Sequence, residues 1–413
     1  MFENVCRAAC ACALSATLVF AAPQAQSKKT ADFSRFVVMG DSLSAGVENF
    51  SLLDSQQPHG YGSLIADQAH AWLPLPLVPY PGAPNVLQLT SFGPPPVIQP
   101  APGTLLFPRD NPLQQPFNIS VPGITLADSL TMVPTLNPNA PPVQQWATIV
   151  LGFPSLLLGQ APTQLQTAVA LRPTTIIEWL GNNDALVPAL VGQLAGLTPI
   201  DQFTTNYDTV LKTLSSTGAT VVTANIPDIT EVPYFTSAQS IANQAGVPVS
   251  VVTGALGIGS GDYVRLSGLS TADAILSGTA KGPLPVDCPS PLAALTTSPI
   301  PCVLTAADAT TLRTAITSYN NAIASESAKY GALMVDIHTL VDQISTNGYN
   351  IGTTTLTTNF LGGLFSLDGI HPTNTGYAII ANTFIDAMDN AVGTHMAQVN
   401  VPAIAAKDPL VFQ

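Results

Sequence analysis

The sequence predicts an α/β fold built on a parallel sheet with helices on both faces. Three observations carry this. Short runs rich in Val, Ile and Thr recur along the chain, helical segments separate them, and each run ends in a turn of small or polar residues. The first run is Phe33-Ser-Arg-Phe-Val-Val-Met39, which leads into Gly40-Asp41-Ser42-Leu43-Ser44-Ala45-Gly46 and a helix near Tyr61–Trp72. The next is Thr174-Thr-Ile-Ile-Glu-Trp-Leu180, followed by Gly181-Asn182-Asn183-Asp184. Ala219-Thr-Val-Val-Thr-Ala-Asn225 ends in Ile226-Pro227-Asp228, and Ala332-Leu-Met-Val-Asp336 is the last. Leu312, Ile316, Tyr319 and Ile323 share one helical face, and Thr305 with Asp308 makes a capped start for that helix. Ile379, Ile380, Phe384 and Met388 mark a final helix.

Two stretches break the rhythm. Residues 74–116 are proline-dense, which rules out a long helix or a central strand there. Leu, Val and Phe are interleaved with the prolines, so an ordered loop wrapping the domain is expected. Residues 231–304 are rich in Ser, Gly, Ala and Pro and read as an insertion. It is either a cap over a site or a passive surface excursion.

Composition narrows the function. Of 413 residues 46% are hydrophobic, enough for a large core, and only 9% are charged. Lys and Arg number 12 against 25 Asp and Glu, a net charge of −13. Neither a phosphate-neutralising groove for nucleic acid nor a polybasic membrane anchor is compatible with that balance. Residues 1–26 read as an export signal, with Arg7 before an apolar run from Ala8 to Ala22 too short to span a bilayer. Residues 27–413 then form the mature domain, secreted or periplasmic. Cys6, Cys10 and Cys12 would leave with the signal, and Cys288 and Cys302 can pair in an oxidising compartment. Such a bridge closes a short loop, worth roughly 3 kcal/mol on chain-entropy grounds. Two thiols without a nearby His make no zinc site, and no cofactor motif stands out.

In open α/β sheets, sites lie beyond the carboxyl ends of strands. Ser42 and Asn183 fall there. Gly123 sits in Asn118-Ile-Ser-Val-Pro-Gly-Ile-Thr125, and Asp368-Gly-Ile-His371-Pro372 precedes the last helix. A hydroxyl needs a base within hydrogen-bond reach to act as a nucleophile, and a histidine can serve. A carboxylate three residues earlier can orient the other ring nitrogen. The backbone N–H groups of Ser42 and Gly123 and the Asn183 amide are candidate donors to an oxyanion. Singly, each residue has a bland use: Ser42 as a helix cap, Asn183 as a turn residue, His371 as a helix-start residue. Together they supply nucleophile, donors and an acid–base pair. His338 is the one rival base, read here as a structural histidine. Ser44 stands where Gly-x-Ser-x-Gly would need its last glycine, which disfavours the α/β-hydrolase elbow.

Gly40-Asp41-Ser42-Leu43-Ser44, Gly123, Gly181-Asn182-Asn183-Asp184 and Asp368-Gly369-Ile370-His371-Pro372 resemble, in order, the sequence blocks of the SGNH, or GDSL, hydrolase family. The resemblance implies a flavodoxin-like three-layer α/β/α sandwich. It implies Ser42 as nucleophile, His371 as base, Asp368 as its orienter, and Ser42, Gly123 and Asn183 as the oxyanion hole. It implies hydrolysis of small-molecule or lipid esters without metal or organic cofactor. A carbohydrate acetyl esterase and a non-catalytic binding protein on the same scaffold are the alternatives. Low charge suggests that the proline-rich loop and the insertion line an apolar groove for an acyl chain, with transient contact to a lipid surface.

Overall fold

The structure is a computed structural model that describes residues 30–93, 96–289 and 299–411. The expected export signal, with Cys6, Cys10 and Cys12, lies outside the described residues. Four strands form the central sheet: β1 (Phe36–Gly40), β2 (Thr175–Trp179), β3 (Thr220–Ala224) and β4 (Leu333–Val335). They lie side by side in that order and all run parallel, with Phe36 opposite Thr175, Thr175 opposite Thr220 and Leu333 opposite Val222. The segment 117–121 docks on the outer edge of β1. Val38 N–H donates to Phe117 O, Ile119 N–H to Val38 O, and Val121 N–H to Gly40 O. Counting that segment as the second strand in the chain, the order is 2-1-3-4-5, the flavodoxin-like arrangement.

Every residue of β1 and β2 is buried, which requires cover on both faces. Alternation along the strands divides the core. Val37, Met39, Ile176 and Val221 pack with Phe203, Tyr207, Leu312 and Ile316 from the helices Ile200–Ser216 and Ala306–Tyr330. Phe36, Val38, Ile177 and Val222 pack with Tyr61, Ile65 and Phe384 from Tyr61–Gln68 and Asn374–Val392. Each such side chain stabilises the fold by about 1.5–3 kcal/mol through burial alone. Tyr61 stacks on Phe384 with ring centroids 4.9 Å apart. The long helix starts where the sequence marks it, with Thr305 Oγ1 accepting from Asp308 N–H.

Within 74–116 the described regular structure is one hairpin, Leu87–Ser91 against Val97–Pro100. Residues 231–304 carry more order than their composition suggests. Phe235–Ser237, Tyr263–Arg265 and Val303–Leu304 form a small antiparallel sheet. Three helices, Ala238–Ala245, Val249–Leu256 and Leu266–Leu276, close round Ile241, Val252, Val264 and Ile275. Arg265 ties this unit to the main body by donating to Pro301 O, Val303 O and Ala189 O. Cys288 and Cys302 are joined by a disulfide, Cα–Cα 5.0 Å. Among the described residues no helix is long and apolar enough to cross a membrane.

The main body holds several buried acids. Glu178 on β2 is fully buried and accepts from Tyr207 Oη–H at 2.9 Å. Burial pushes its carboxyl up from 4.5 to about 8, and pushes Asp41 and Asp184 up from 3.8 to about 6 each. The native state therefore holds protons that the unfolded chain releases. That contribution is fully present below the unfolded values and is lost as pH rises through 6 and 8. Thermal unfolding should show a lower Tm at pH 9 than at pH 5, and Glu178→Gln should flatten the upper part of that slope. A Tm that climbs from pH 5 to pH 9 would contradict the assignment.

Candidate active site

β1 delivers the first candidate. At its end Gly40 has no room for a side chain, since a Cβ would lie 2.8 Å from Trp179 O. Asp41 then turns the chain into the one-turn helix Ser42–Ala45. Its Oδ1 accepts from Leu43 N–H at 3.0 Å and its Oδ2 from Asn182 Nδ2 at 2.9 Å. Asp41 is thus the helix cap, and Ser42 is not: Ser42 is the first helical residue, and its N–H has no intrahelical acceptor. Among the described residues no hydrogen bond engages the Ser42 hydroxyl.

β2 delivers the second. Gly181, at φ 107°, starts the helix Asn182–Leu190, whose first turn holds Asn182, Asn183 and Asp184. Asn182 reaches across to Asp41, so the ends of β1 and β2 are held together. Asn183 Nδ2 donates to Ile124 O at 2.9 Å, which orients the amide and leaves its second N–H uncommitted. Asp184 Oδ2 accepts from Leu126 N–H at 2.9 Å, so the 121–126 turn is fixed from the same helix. In that turn Gly123 stands at φ 74°, and a Cβ there would meet Trp146 at 3.2 Å. The left-handed backbone favours glycine, and a larger residue would also press on the ring.

The third group is the loop before the last helix. Asp368 Oδ1 accepts from Ile370 N–H at 2.7 Å and His371 N–H at 2.8 Å. Its Oδ2 accepts from His371 Nδ1 at 2.8 Å and from Phe50 N–H at 2.6 Å. Burial alone would raise the Asp368 carboxyl, but the attraction of His371 and the hydrogen bonds from the His371 ring, His371 N–H and Ile370 N–H outweigh it and hold it below its usual value. Facing an ionised Asp368, the neutral ring carries its proton on Nδ1, which leaves Nε2 free to accept.

The arrangement brings four candidates to one cleft. Ser42, Gly123, Asn183 and His371 line a space of about 30 Å³, walled by Val47, Trp146, Leu186 and Ile370, with Asp368 behind the imidazole. Among the described residues no hydrogen bond joins Ser42 to His371. His338 is elsewhere: its Nδ1 pairs with Ile226 O at 2.8 Å and its N–H donates to Asn225 Oδ1. Among the described residues no cluster of three or more His, Cys, Asp or Glu could hold a metal ion.

Sequence reasoning missed the support for Asp368. Asn49 and Phe50 stand at φ 52° and 60°, a left-handed pair costing about 1–3 kcal/mol per residue. Asn49 N–H donates to Ser366 Oγ at 3.0 Å, and its Oδ1 accepts from Leu367 N–H at 3.0 Å. The strained turn therefore grips the loop that carries Asp368 and His371. Asparagine's tolerance of positive φ is a faint signal for it; the Phe50 contact is made by backbone and has none.

No curated protein matches the chain significantly in sequence. Among solved structures, the acetylxylan esterase Axe2 from Geobacillus stearothermophilus aligns at 10% identity with TM-score 0.38, over 87% of this chain and 96% of its own. An extracellular lipase from Streptomyces rimosus aligns at 13% identity with TM-score 0.35, over 86% and 98%. Phospholipase A1 from Streptomyces albidoflavus NA297 aligns at 13% identity with TM-score 0.33, over 86% and 98%. These are distant likenesses, whereas the family model for GDSL-like lipase/acylhydrolases matches residues 36–384, from the start of β1 into the last long helix. With that match over most of its length, the chain belongs to the GDSL-like lipase/acylhydrolase family and is a carboxylic ester hydrolase.

Proposed function

We propose that the chain is an exported serine esterase or lipase that works through an acyl-enzyme on Ser42. The observation that carries this reading is the shared cleft of Ser42, Gly123, Asn183 and His371, with Asp368 bonded to the far side of the imidazole. Ser42 Oγ attacks the ester carbonyl carbon while His371 Nε2 takes its proton. The carbonyl oxygen becomes an oxyanion and accepts from Ser42 N–H, Gly123 N–H and Asn183 Nδ2–H. Asp368 stabilises the imidazolium that forms. Collapse breaks the bond to the alcohol oxygen, which takes the proton from His371 Nε2 and leaves. Water then repeats the sequence on the acyl-enzyme, its proton passing to His371 and on to Ser42 Oγ as the acid departs.

Apart from Ser42, Asn183 and His371, the cleft side chains are apolar, including Val47, Phe50, Trp146, Leu190 and Ile370. Such walls suit a hydrocarbon acyl group and offer a sugar few hydrogen bonds, which favours an apolar ester over an acetylated carbohydrate. The Cys288–Cys302 bridge supports export to an oxidising compartment. A fluorophosphonate probe should label the wild-type protein at Ser42, as read by peptide mass spectrometry, and should not label Ser42→Ala. Labelling of a different residue, or equal labelling of the variant, would rule the nucleophile out.

A further inference from the structure

We infer that the loop 105–114 and the turn 153–158 form a docking surface for an uncharged lipid interface. The inference rests on the reading above of an enzyme for apolar esters. Such esters collect in droplets and bilayers, so an enzyme that hydrolyses them works at that boundary.

Charge is the first observation. Residues 71–108 and 129–171 contain no Asp, Glu, Lys, Arg or His. Between the two stretches lie Arg109, Asp110 and Asp128. Arg109 is buried, Asp128 is half-buried in its helix cap, and Asp110 alone is exposed. Exposed apolar side chains concentrate in the same part of the chain. Outside 71–171, Ile200, Val251 and Val286 are the only large ones exposed among the described residues.

The fold gathers the two uncharged stretches together. The buried Arg109 guanidinium donates to Phe153 O at 2.9 Å, to Asn111 O at 3.0 Å and to Gln114 O at 2.6 Å. That clamp ties the loop bearing Leu106, Phe107 and Leu113 to the turn bearing Leu157 and Leu158, all five 61–82% exposed. The helix Pro142–Leu151 leads into that turn, and its Trp146 lines the cleft, as does Ala83 of the first stretch. The same two stretches therefore carry the apolar surface and part of the cleft wall. Among the described residues the 231–304 insertion lines none of that cleft, so the acyl groove expected of it is not found beside Ser42.

The kind of surface follows from the charge. Charged side chains are expensive in lipid, and here the exposed apolar tips come almost without them. Leu and Phe supply the contact, as on other segments that lie within a membrane interface. Anionic lipid is disfavoured, since no exposed Lys or Arg stands between 71 and 171 and the chain carries −13. The five side chains stand on two irregular segments rather than on one flat helix or sheet face, a form suited to entering a fluid layer.

Flotation with phosphatidylcholine vesicles tests the surface directly and needs no turnover. Wild-type protein should float with the vesicles, equally well in about 1 M salt, where charge attraction is screened within about 3 Å. Adding phosphatidylserine should not strengthen binding. Phe107→Ser combined with Leu158→Ser should lower the bound-to-free ratio at least tenfold while the core packing stays intact. That variant should keep its kcat/KM on dissolved p-nitrophenyl acetate and lose at least tenfold in rate on emulsified tributyrin. Leu113→Ser replaces either change if the double variant does not fold. Absence of wild-type flotation, flotation that requires phosphatidylserine or vanishes in salt, or equal flotation of a folded variant overturns the proposal. A wild-type dimer that the variant abolishes, without flotation, overturns it too and gives the surface to a second copy. A wild-type protein that hydrolyses neither ester overturns the esterase reading, while flotation alone decides the docking surface.

Discussion

Replacing Ser42 with alanine should lower kcat for ester hydrolysis by about 10⁴–10⁶-fold, with the fold unchanged. In the proposed mechanism the hydroxyl forms the acyl-enzyme, so its loss removes the covalent route rather than weakening a contact. What remains comes from substrate binding and the oxyanion donors, two of which are backbone N–H groups that the substitution leaves in place. Stability should barely move. The Ser42 hydroxyl has no hydrogen-bonding partner to lose among the described residues, and the cap is supplied by Asp41. Alanine is also the better helix former at that position. The measurement is steady-state kinetics on a p-nitrophenyl ester beside a thermal melt. His371→Ala should cost a similar factor, and the double variant little more, because the two act as one unit. Retention of more than a hundredth of the activity in either folded variant would remove that residue from the mechanism.

Asp368→Asn should reduce kcat by about 10³–10⁴-fold while KM changes little. The reason lies in the donors around the carboxylate. All four hydrogen bonds to Asp368 come from N–H groups: Ile370, both His371 nitrogens in contact, and Phe50. An amide has only one accepting oxygen. In either orientation its NH₂ faces donors, and the cheapest relief at Nδ1 is to move the imidazole proton to Nε2. That tautomer cannot accept from Ser42. The variant should therefore fold, bind ester and fail at proton transfer, which kinetics together with circular dichroism would show. A loss below tenfold in a folded variant would mean that the carboxylate does not orient the base.

Much of the fold can be read from the chain because buried parallel strands need continuous apolar runs. β2, β3 and β4 fall inside the stretches marked by Val, Ile and Thr, and β1 runs one residue past its stretch, to Gly40. The capped helix begins at Thr305, and the Cys288–Cys302 pair is joined. The 117–121 edge segment is harder to read. It lies between Pro116 and Pro122 and docks on β1 through backbone groups, so tertiary contact rather than local propensity defines it. The sheet inside 231–304 is hidden for a related reason, since strands of two or three residues are too short to show alternation. At the candidate site, Ser42, Asn183, Asp368 and His371 stand out because the proposed chemistry asks for those side chains, and Gly123 because it asks for a backbone N–H at a close approach. Asp41 and Asn182 sit inside the same motifs, yet their mutual bond across two strand ends is visible only in space.

The Phe50 amide that holds Asp368 belongs to the main chain, and this changes what natural selection can act on. Side-chain drift at position 50 cannot delete the contact. What must be inherited there is a backbone shape, and any residue able to adopt the left-handed conformation preserves it. Relatives could differ at this position and still share the same anchor. A comparison of residue identities alone would then overlook a feature that only chain curvature records.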